Sequence, residues 1–214
     1  VTPVPPPPSI TNVTSSTTNG SYNAGDVISI QVTFDQTVTV SGTPRLSLET
    51  GSTDQVANYT SGSGTNTLTF EYTIQAGDTS GDLTYVATNS LALNSGTIKN
   101  STNSAATLTL PSPASTGSLA ANKSFIVDTS APTPSLTTAS ITSSDSATAT
   151  SSEIGNAYLV KNSVTVSSLA SITGADGALW NSVSISAADT NTNVPATGLV
   201  PGTYVLYVVD TCLL

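Results

Sequence analysis

The feature that most constrains the fold of this chain is the alternation of apolar and polar residues in many short segments. VISIQVTF (27–34) and NTLTFEYTI (66–74) show it clearly, and turn sequences such as SGSG and AGDTSGD separate segments of this kind. Successive side chains of a β-strand point to opposite faces, so a period of two predicts strands that each bury one face. Many short strands with turn residues between them favour an antiparallel β-sandwich. No helical periodicity of useful length is present.

The pattern divides the chain at FIVDTSAPTPSL (125–136), where an apolar run is followed by two prolines that stiffen the backbone. We therefore predict an all-β protein with two tandem antiparallel Ig-like β-sandwiches, at 9–129 and 130–214, joined by a short Pro-containing linker. The proline tract of residues 1–8 is predicted to be a further, extended linker. The predicted strands are 9–15, 27–34, 44–50, 55–60, 66–74, 82–87, 106–111, 123–128, 134–140, 146–152, 156–162, 182–188 and 203–210.

Composition excludes several functions. The chain has four Lys and Arg residues and 13 Asp and Glu residues, which gives a net charge of −9. It therefore has no electrostatic reason to bind nucleic acid. It contains no His, which rules out a Ser–His or Cys–His catalytic pair and a His-ligated zinc site within the chain. Its single Cys cannot form an internal disulfide. No apolar run suggests direct membrane insertion.

Longer stretches carry a family resemblance. NGSYNAGDVISIQVTFDQTVTVSGTPRLSLETG and ATLTLPSPASTGSLAANKSFIVDTSAP resemble the tandem Ig-like repeat of very large bacterial surface proteins, described as a flagellar-system-associated repeat, over about residues 9–132. SSEIGNAYLV and GLVPGTYVLYVVD are similar to a second bacterial Ig-like module. This module usually continues into a last strand, whereas here the sequence stops at VVDTCLL, so a truncated or rearranged end is expected.

The resemblance implies a structural role without enzymatic activity. We expect spacer or stalk modules of a large secreted or cell-surface bacterial protein of the adhesin type, whose partners are the neighbouring repeats of the same chain. The alternative is a module that binds a glycan or a surface protein, for which Trp180 in GALWNSVSI is the candidate ligand-binding residue. The competing interpretation of Trp180 is an aromatic ring covering the end of a small core.

Carboxylates are the candidate metal ligands. An Ig-like strand order brings Asp128 in the linker, Glu153 after the second strand of the second module, and Asp210 at the end of its last strand to one joint. Hard cations such as calcium bind six to eight oxygens, largely from carboxylates and carbonyls. Calcium at joints is also what the likeness to adhesin arrays implies. The first module is expected to add three further acidic residues from the loops that face the same joint: Asp26, Asp78 and Asp82.

Each acidic residue also has an ordinary interpretation. Asp in GD and TSGD sequences forms turns by accepting hydrogen bonds from nearby backbone, which applies to Asp26 and Asp82. Glu49 and Asp54 flank a turn, but a glycosidase-like pair usually has aromatic residues to hold the sugar, and none cluster there. Lys123 beside Asn122 lacks the adjacent-strand arrangement that a Lys–Asn cross-link needs. We therefore predict no enzymatic activity.

Overall fold

The computed structural model of the protein describes residues 5–136 and 140–210. Three sequence predictions extend outside the described residues: part of the linker 1–8, part of the strand 134–140, and the altered end at 211–214. By its internal contacts the chain divides into two units, residues 1–129 and 130–214, here called unit 1 and unit 2. The fold is nearly all-β with mainly antiparallel pairing, which confirms the predicted all-β class with antiparallel sheets.

Unit 1 consists of two sheets. The larger follows the order β1-β3-β6-β5-β4-β8, with β10 pairing to β3 and β9 to β4, and the smaller follows the order β2-β11-β7. The elements are β1 (Ile10–Ser15), β2 (Gly20–Tyr22), β3 (Val27–Ser41), β4 (Arg45–Glu49), β5 (Gln55–Ser61), β6 (Thr65–Thr73), β7 (Thr79–Ser80), β8 (Thr84–Tyr85), β9 (Leu91–Ala92), β10 (Thr97–Lys99), α1 (Leu119–Asn122) and β11 (Phe125–Asp128).

The core of unit 1 follows from the alternation in its longest strand. Ile28, Ile30, Val32 and Phe34 of β3 are buried, while the residues between them are at least partly accessible. Phe125 and Val127 of β11 join the same core from the smaller sheet. The period of two in the sequence therefore places one face of each sheet in the core and leaves the Ser- and Thr-rich faces to solvent.

The chain enters unit 1 beside the middle of β3 (Val27–Ser41) and leaves it beside the start of that strand. At the entry, the Ser9 backbone N–H donates to the Asp35 carboxylate at 2.8 Å, and the Asp35 N–H donates to the Ser9 carbonyl at 2.9 Å. At the exit, the Thr129 hydroxyl accepts from the Gly77 N–H at 2.9 Å, in the loop that follows β6. Since Val27 pairs with Thr73 at the end of β6, this exit lies beside the start of β3. The strand between Val27 and Asp35 separates the two ends by about 25 Å.

Unit 2 contains two three-stranded sheets, ordered β12-β13-β16 and β15-β14-β17. Its elements are β12 (Pro134–Leu136), β13 (Ser146–Ser151), β14 (Gly155–Lys161), α2 (Leu169–Thr173), β15 (Trp180–Ile185), β16 (Thr192–Pro195) and β17 (Tyr204–Asp210). The start of β12 and the end of β17 lie at the same end of this unit: Thr133 hydrogen-bonds Ser152 in the loop before β14, and Gly155 at the start of β14 pairs with Asp210.

The central strand β14 is buried on both faces. Ala157 and Leu159 pack between the two sheets, against residues such as Ala149 and Val194. Tyr158 and Val160 point the other way, where α2 covers them through Ile172. Ser168 begins α2 with a capping box, in which its hydroxyl accepts from the Ser171 N–H at 3.3 Å. The second cover explains why AYLV reads as an uninterrupted apolar run instead of an alternating one.

Several predicted element bounds are wrong. Residues 106–111 form no strand and make only an isolated bridge at Thr107, and the strand predicted at 82–87 is reduced to β8. The turn predicted around 19–26 contains β2, and β16 was not predicted at all. Short strands set by tertiary pairing leave little local signal. The helices of the described chain have only four and five residues, and none is long and apolar enough to cross a membrane.

Candidate functional site

Two predicted acidic ligands come together at one end of unit 2. Glu153 lies in the loop between β13 and β14, and Asp210 ends β17, which pairs with the start of β14. A carboxylate oxygen of Glu153 and one of Asp210 lie within 4.8 Å of each other. Asp210 is 2% exposed and Glu153 is partly buried. The structure thus places two carboxylates, 57 positions apart by their numbering, at one partly buried location.

The local backbone explains this placement. The Ser151 hydroxyl, itself buried, accepts from the Glu153 N–H at 3.2 Å and fixes the start of the loop. Gly155 then allows β14 to approach β17 closely, since a Cβ at this position would lie 2.3 Å from the Val209 carbonyl oxygen. The sequence SSEIGN therefore turns tightly over the end of β17 and carries Glu153 to Asp210.

This pair has the chemistry of a hard-cation site. Two ionised carboxylates so close together repel each other, and a divalent cation between them removes that repulsion. Their oxygens supply part of the six to eight that calcium takes, at 2.3–2.6 Å. Backbone carbonyls, water and further carboxylates would have to supply the rest.

Asp128 ends β11 of unit 1, where it pairs with Thr79 and is partly buried. It follows the core residue Val127 and comes two positions before Ser130, the first residue of unit 2. Asp128 also lines an open groove of about 500 Å³ in unit 1 together with Glu49. Asp54, which would have to act with Glu49 in a glycosidase-like pair, does not line this groove.

The remaining predicted ligands have separate surroundings in unit 1. Asp78 is 3% exposed, and its carboxylate accepts from the Tyr72 hydroxyl at 2.6 Å, the Gln75 N–H at 2.7 Å and the Gln55 side-chain amide at 3.1 Å. Asp26 is exposed and accepts from the Asn23 N–H at 2.8 Å, as a turn-forming Asp does. Asp82 is exposed. Within the described part of unit 1, these carboxylates form no group of three.

No protein family, curated protein or solved structure matches this chain.

Trp180, the candidate ligand-binding residue, lies at the margin of a core. Its ring packs against Tyr158, with ring centroids 6.0 Å apart, in the cluster that α2 covers. Its indole N–H is buried and has no hydrogen-bond acceptor among the described residues. The ring is therefore partly enclosed by its own unit instead of standing free as a platform.

One further feature of unit 2 was not predicted. A cavity of about 520 Å³ opens at the end of the inter-sheet core, at the opposite end of β14 from Gly155, and Leu136, Leu159, Leu199 and Tyr204 are among its lining residues. Its sequence signal is weak, because the small residues that leave the space, such as Ala147 and Ala196, occur throughout the chain.

Proposed function

We propose that this chain is a pair of Ig-like spacer modules from the stalk of a large secreted or cell-surface bacterial protein of the adhesin type. The observation that carries the proposal is the separation of the entry and exit of unit 1, which lie beside Asp35 and beside the start of β3, about 25 Å apart along that strand. A unit threaded in this way adds its length to an array, and the family resemblance of residues 9–132 supplies the bacterial surface context.

The same geometry suits a unit that carries tension. A force applied at the entry and exit of unit 1 acts along β1, which pairs with β3 from Ile10 to Ser15. The hydrogen bonds of that pairing are then loaded together, in shear. In unit 2, a force applied at Thr133 and Asp210 acts at one end of the unit and pulls β17 away from β14 one pair at a time.

Single-molecule stretching of the full chain tests the proposal. We expect two steps, in which unit 2 opens first at the lower force and unit 1 opens last. The steps are told apart by released length, at about 3.4 Å per residue for units of different size. Opening of unit 1 at the lower force would contradict the spacer function.

A matched control changes only the direction of loading. In a Cys212→Ser background, Ser9→Cys and Asn66→Cys place both handles near Asp35, since Ser9 bonds to Asp35 and the neighbours of Asn66 pair with Thr33 and Val38. Force then acts across the strands, and unit 1 should open at a clearly lower force than through its own ends. Equal unfolding forces in the two geometries would show that the direction of loading does not determine the mechanical resistance of unit 1.

We further propose that calcium stiffens this stalk. The support is the close pair of Glu153 and Asp210 in unit 2, and we assign the third carboxylate to Asp128 on the grounds of sequence. Calcium at 100 times its Kd would stabilise the folded protein by about 2.7 kcal/mol.

Thermal unfolding in millimolar calcium and in EDTA checks this proposal. Calcium should raise Tm, and Asp210→Asn and Asp128→Asn should each reduce the rise. Asp176→Asn is the matched control in unit 2, because Asp176 is an exposed residue that accepts from the Ala178 N–H, a bond Asn preserves. If calcium leaves Tm unchanged, the calcium proposal is wrong. The spacer proposal is tested separately, by the stretching experiment.

A further inference from the structure

The chain contains a single Asn-Gly pair, Asn19–Gly20, at the point where it enters β2. The side-chain amide of an Asn can be attacked by the backbone nitrogen of the residue that follows it. Glycine in that position favours the attack, because it has no side chain to crowd its nitrogen. Asn19 and Gly20 are both exposed, so that water and hydroxide can reach them. The residue types and their exposure therefore supply what this reaction needs from the protein.

The fold holds both reacting groups through one residue of unit 1. The Ser124 backbone N–H donates to the side-chain oxygen of Asn19 at 3.2 Å. The Ser124 carbonyl accepts from the Gly20 N–H at 3.1 Å. For the attack, the Gly20 nitrogen must lose its proton and turn towards the side chain of Asn19. Both hydrogen bonds to Ser124 must therefore break before the reaction starts.

The segment that carries these groups lies at the margin of the smaller sheet. β2 is the outer strand of the order β2-β11-β7 and pairs with β11 over three residues, Gly20 to Tyr22. Just before β2, the Lys123 ammonium donates to the Thr17 carbonyl at 2.7 Å. Exposed backbone hydrogen bonds at the end of a short strand open at a lower free-energy cost than a whole unit unfolds. We therefore expect residues 17–20 to separate from Ser124 while the core of unit 1 stays folded.

We propose that Asn19 is a self-modification site, where opening of residues 17–20 lets Asn19 react with Gly20 and convert to aspartate and isoaspartate. The Gly20 nitrogen gives its proton to hydroxide and bonds to Cγ of Asn19. The Cγ–Nδ2 bond breaks, and Nδ2 takes a proton from water and leaves as ammonia. Water then adds to one of the two ring carbonyl carbons and breaks the bond of that carbon to the Gly20 nitrogen. Opening at Cγ gives aspartate, and opening at the backbone carbon gives isoaspartate.

The conversion changes how β2 can pair again. The ring intermediate has no N–H at Gly20, so it cannot donate to the Ser124 carbonyl. Isoaspartate regains the N–H but lengthens the main chain by a methylene group, which puts Gly20 out of register with Phe125 of β11. Aspartate keeps the main chain and adds a negative charge. An opening that is reversible in the original chain thus becomes permanent once isoaspartate has formed.

Peptide mass spectrometry of the full chain, after incubation at mildly alkaline pH, measures the conversion of Asn19. A synthetic peptide of residues 15–22 gives the rate without protection by the fold. We expect the folded protein to convert at least about tenfold more slowly than the peptide, and the protein in denaturant to match the peptide. Equal rates in the folded protein and the peptide would overturn the control by Ser124. An Asn19 that stays unmodified in denaturant would overturn the site itself.

The Lys123→Ala variant tests whether the opening is local. Loss of the hydrogen bond to the Thr17 carbonyl should raise the rate at Asn19 at least about threefold. Lys99→Ala is the matched control, because the Lys99 ammonium donates to the Asn103 side chain at 3.0 Å in another part of unit 1. Its rate at Asn19 should equal that of the original chain, and circular dichroism melting confirms that both variants are folded. An unchanged rate in Lys123→Ala would contradict local opening and assign the reaction to unfolding of the whole unit.

Discussion

Unit 1 and unit 2 are both built from sheets, but they differ in what fills their cores. The core of unit 1 includes Phe34, Phe70, Phe125, Tyr72 and Tyr85, each at most 1% exposed. Between the sheets of unit 2 the buried residues include three alanines, joined by the partly buried Tyr204, whereas Tyr158, Trp180 and Tyr207 lie on the other face of β14. Since stabilisation scales with the apolar area buried, unit 1 should be the more stable unit.

The largest expected effect comes from the buried carboxylate of unit 1. Asp78→Ala leaves the Tyr72 hydroxyl and the Gln75 N–H without their acceptor inside the protein, and should lower the free energy of unfolding of unit 1 by about 3 kcal/mol. Trp180, the single Trp, reports on unit 2 by fluorescence, so circular dichroism should show the loss while the Trp180 transition stays in place. Exposed Asp82→Ala is the control, with a change within about 0.5 kcal/mol. Equal effects would contradict a structural role for Asp78.

The next largest effect should come from alkaline pH, which lowers the free energy of unfolding of unit 1. Burial raises the pKa of Tyr85 from 10.0 to about 12, and burial, followed by the Asp78 carboxylate, raises the pKa of Tyr72. Because the folded state holds these protons more tightly than the unfolded state, the stability they contribute is complete below pH 10 and is lost as pH rises towards 12. We expect unit 1 to lose about 1–2 kcal/mol over this range, after allowance for solvent screening.

Denaturant unfolding of the Tyr85→Phe variant isolates this effect. The substitution removes the hydroxyl that donates to the Pro111 carbonyl at 2.6 Å, so the variant should be weaker at pH 8 and should lose less stability between pH 10 and 12. Parallel pH profiles for the variant and the original chain would assign the alkaline loss to other groups.

The smallest effect is expected at Trp180. Its indole N–H has no acceptor among the described residues, so Trp180→Phe keeps most of the packing on Tyr158 and forfeits no such hydrogen bond. The free energy of unfolding of unit 2 should fall by less than about 1 kcal/mol, whereas Trp180→Ala should cost about 2 kcal/mol. Circular dichroism melting checks both variants. A large loss with Phe would mean that the indole N–H is bound to an acceptor in solution.

The long strands were predictable from the sequence, whereas some of the short ones were not. β3, β6 and β17 are marked in the sequence by alternation or apolar content, whereas β2 and β16 exist because neighbouring strands offer backbone partners. The meeting of Glu153 and Asp210 follows from strand order, so sequence could suggest it. The enclosure of Asp78 could not be suggested in this way, because its partners Tyr72 and Gln55 come from two different strands. The packing of α2 against β14 could not be predicted either, because the apolar run AYLV is its one signal in the local sequence.

The distance between the entry and the exit of unit 1 also sets how much length the unit stores. Residues 9–129 fold so that their ends are about 25 Å apart along β3, yet the same residues fully extended would span about 400 Å. A unit that opens under overload would therefore lengthen the chain more than tenfold before any covalent bond is strained. In a surface protein, each such unit would act as a reserve of length that absorbs a sudden pull and is recovered when the strands pair again.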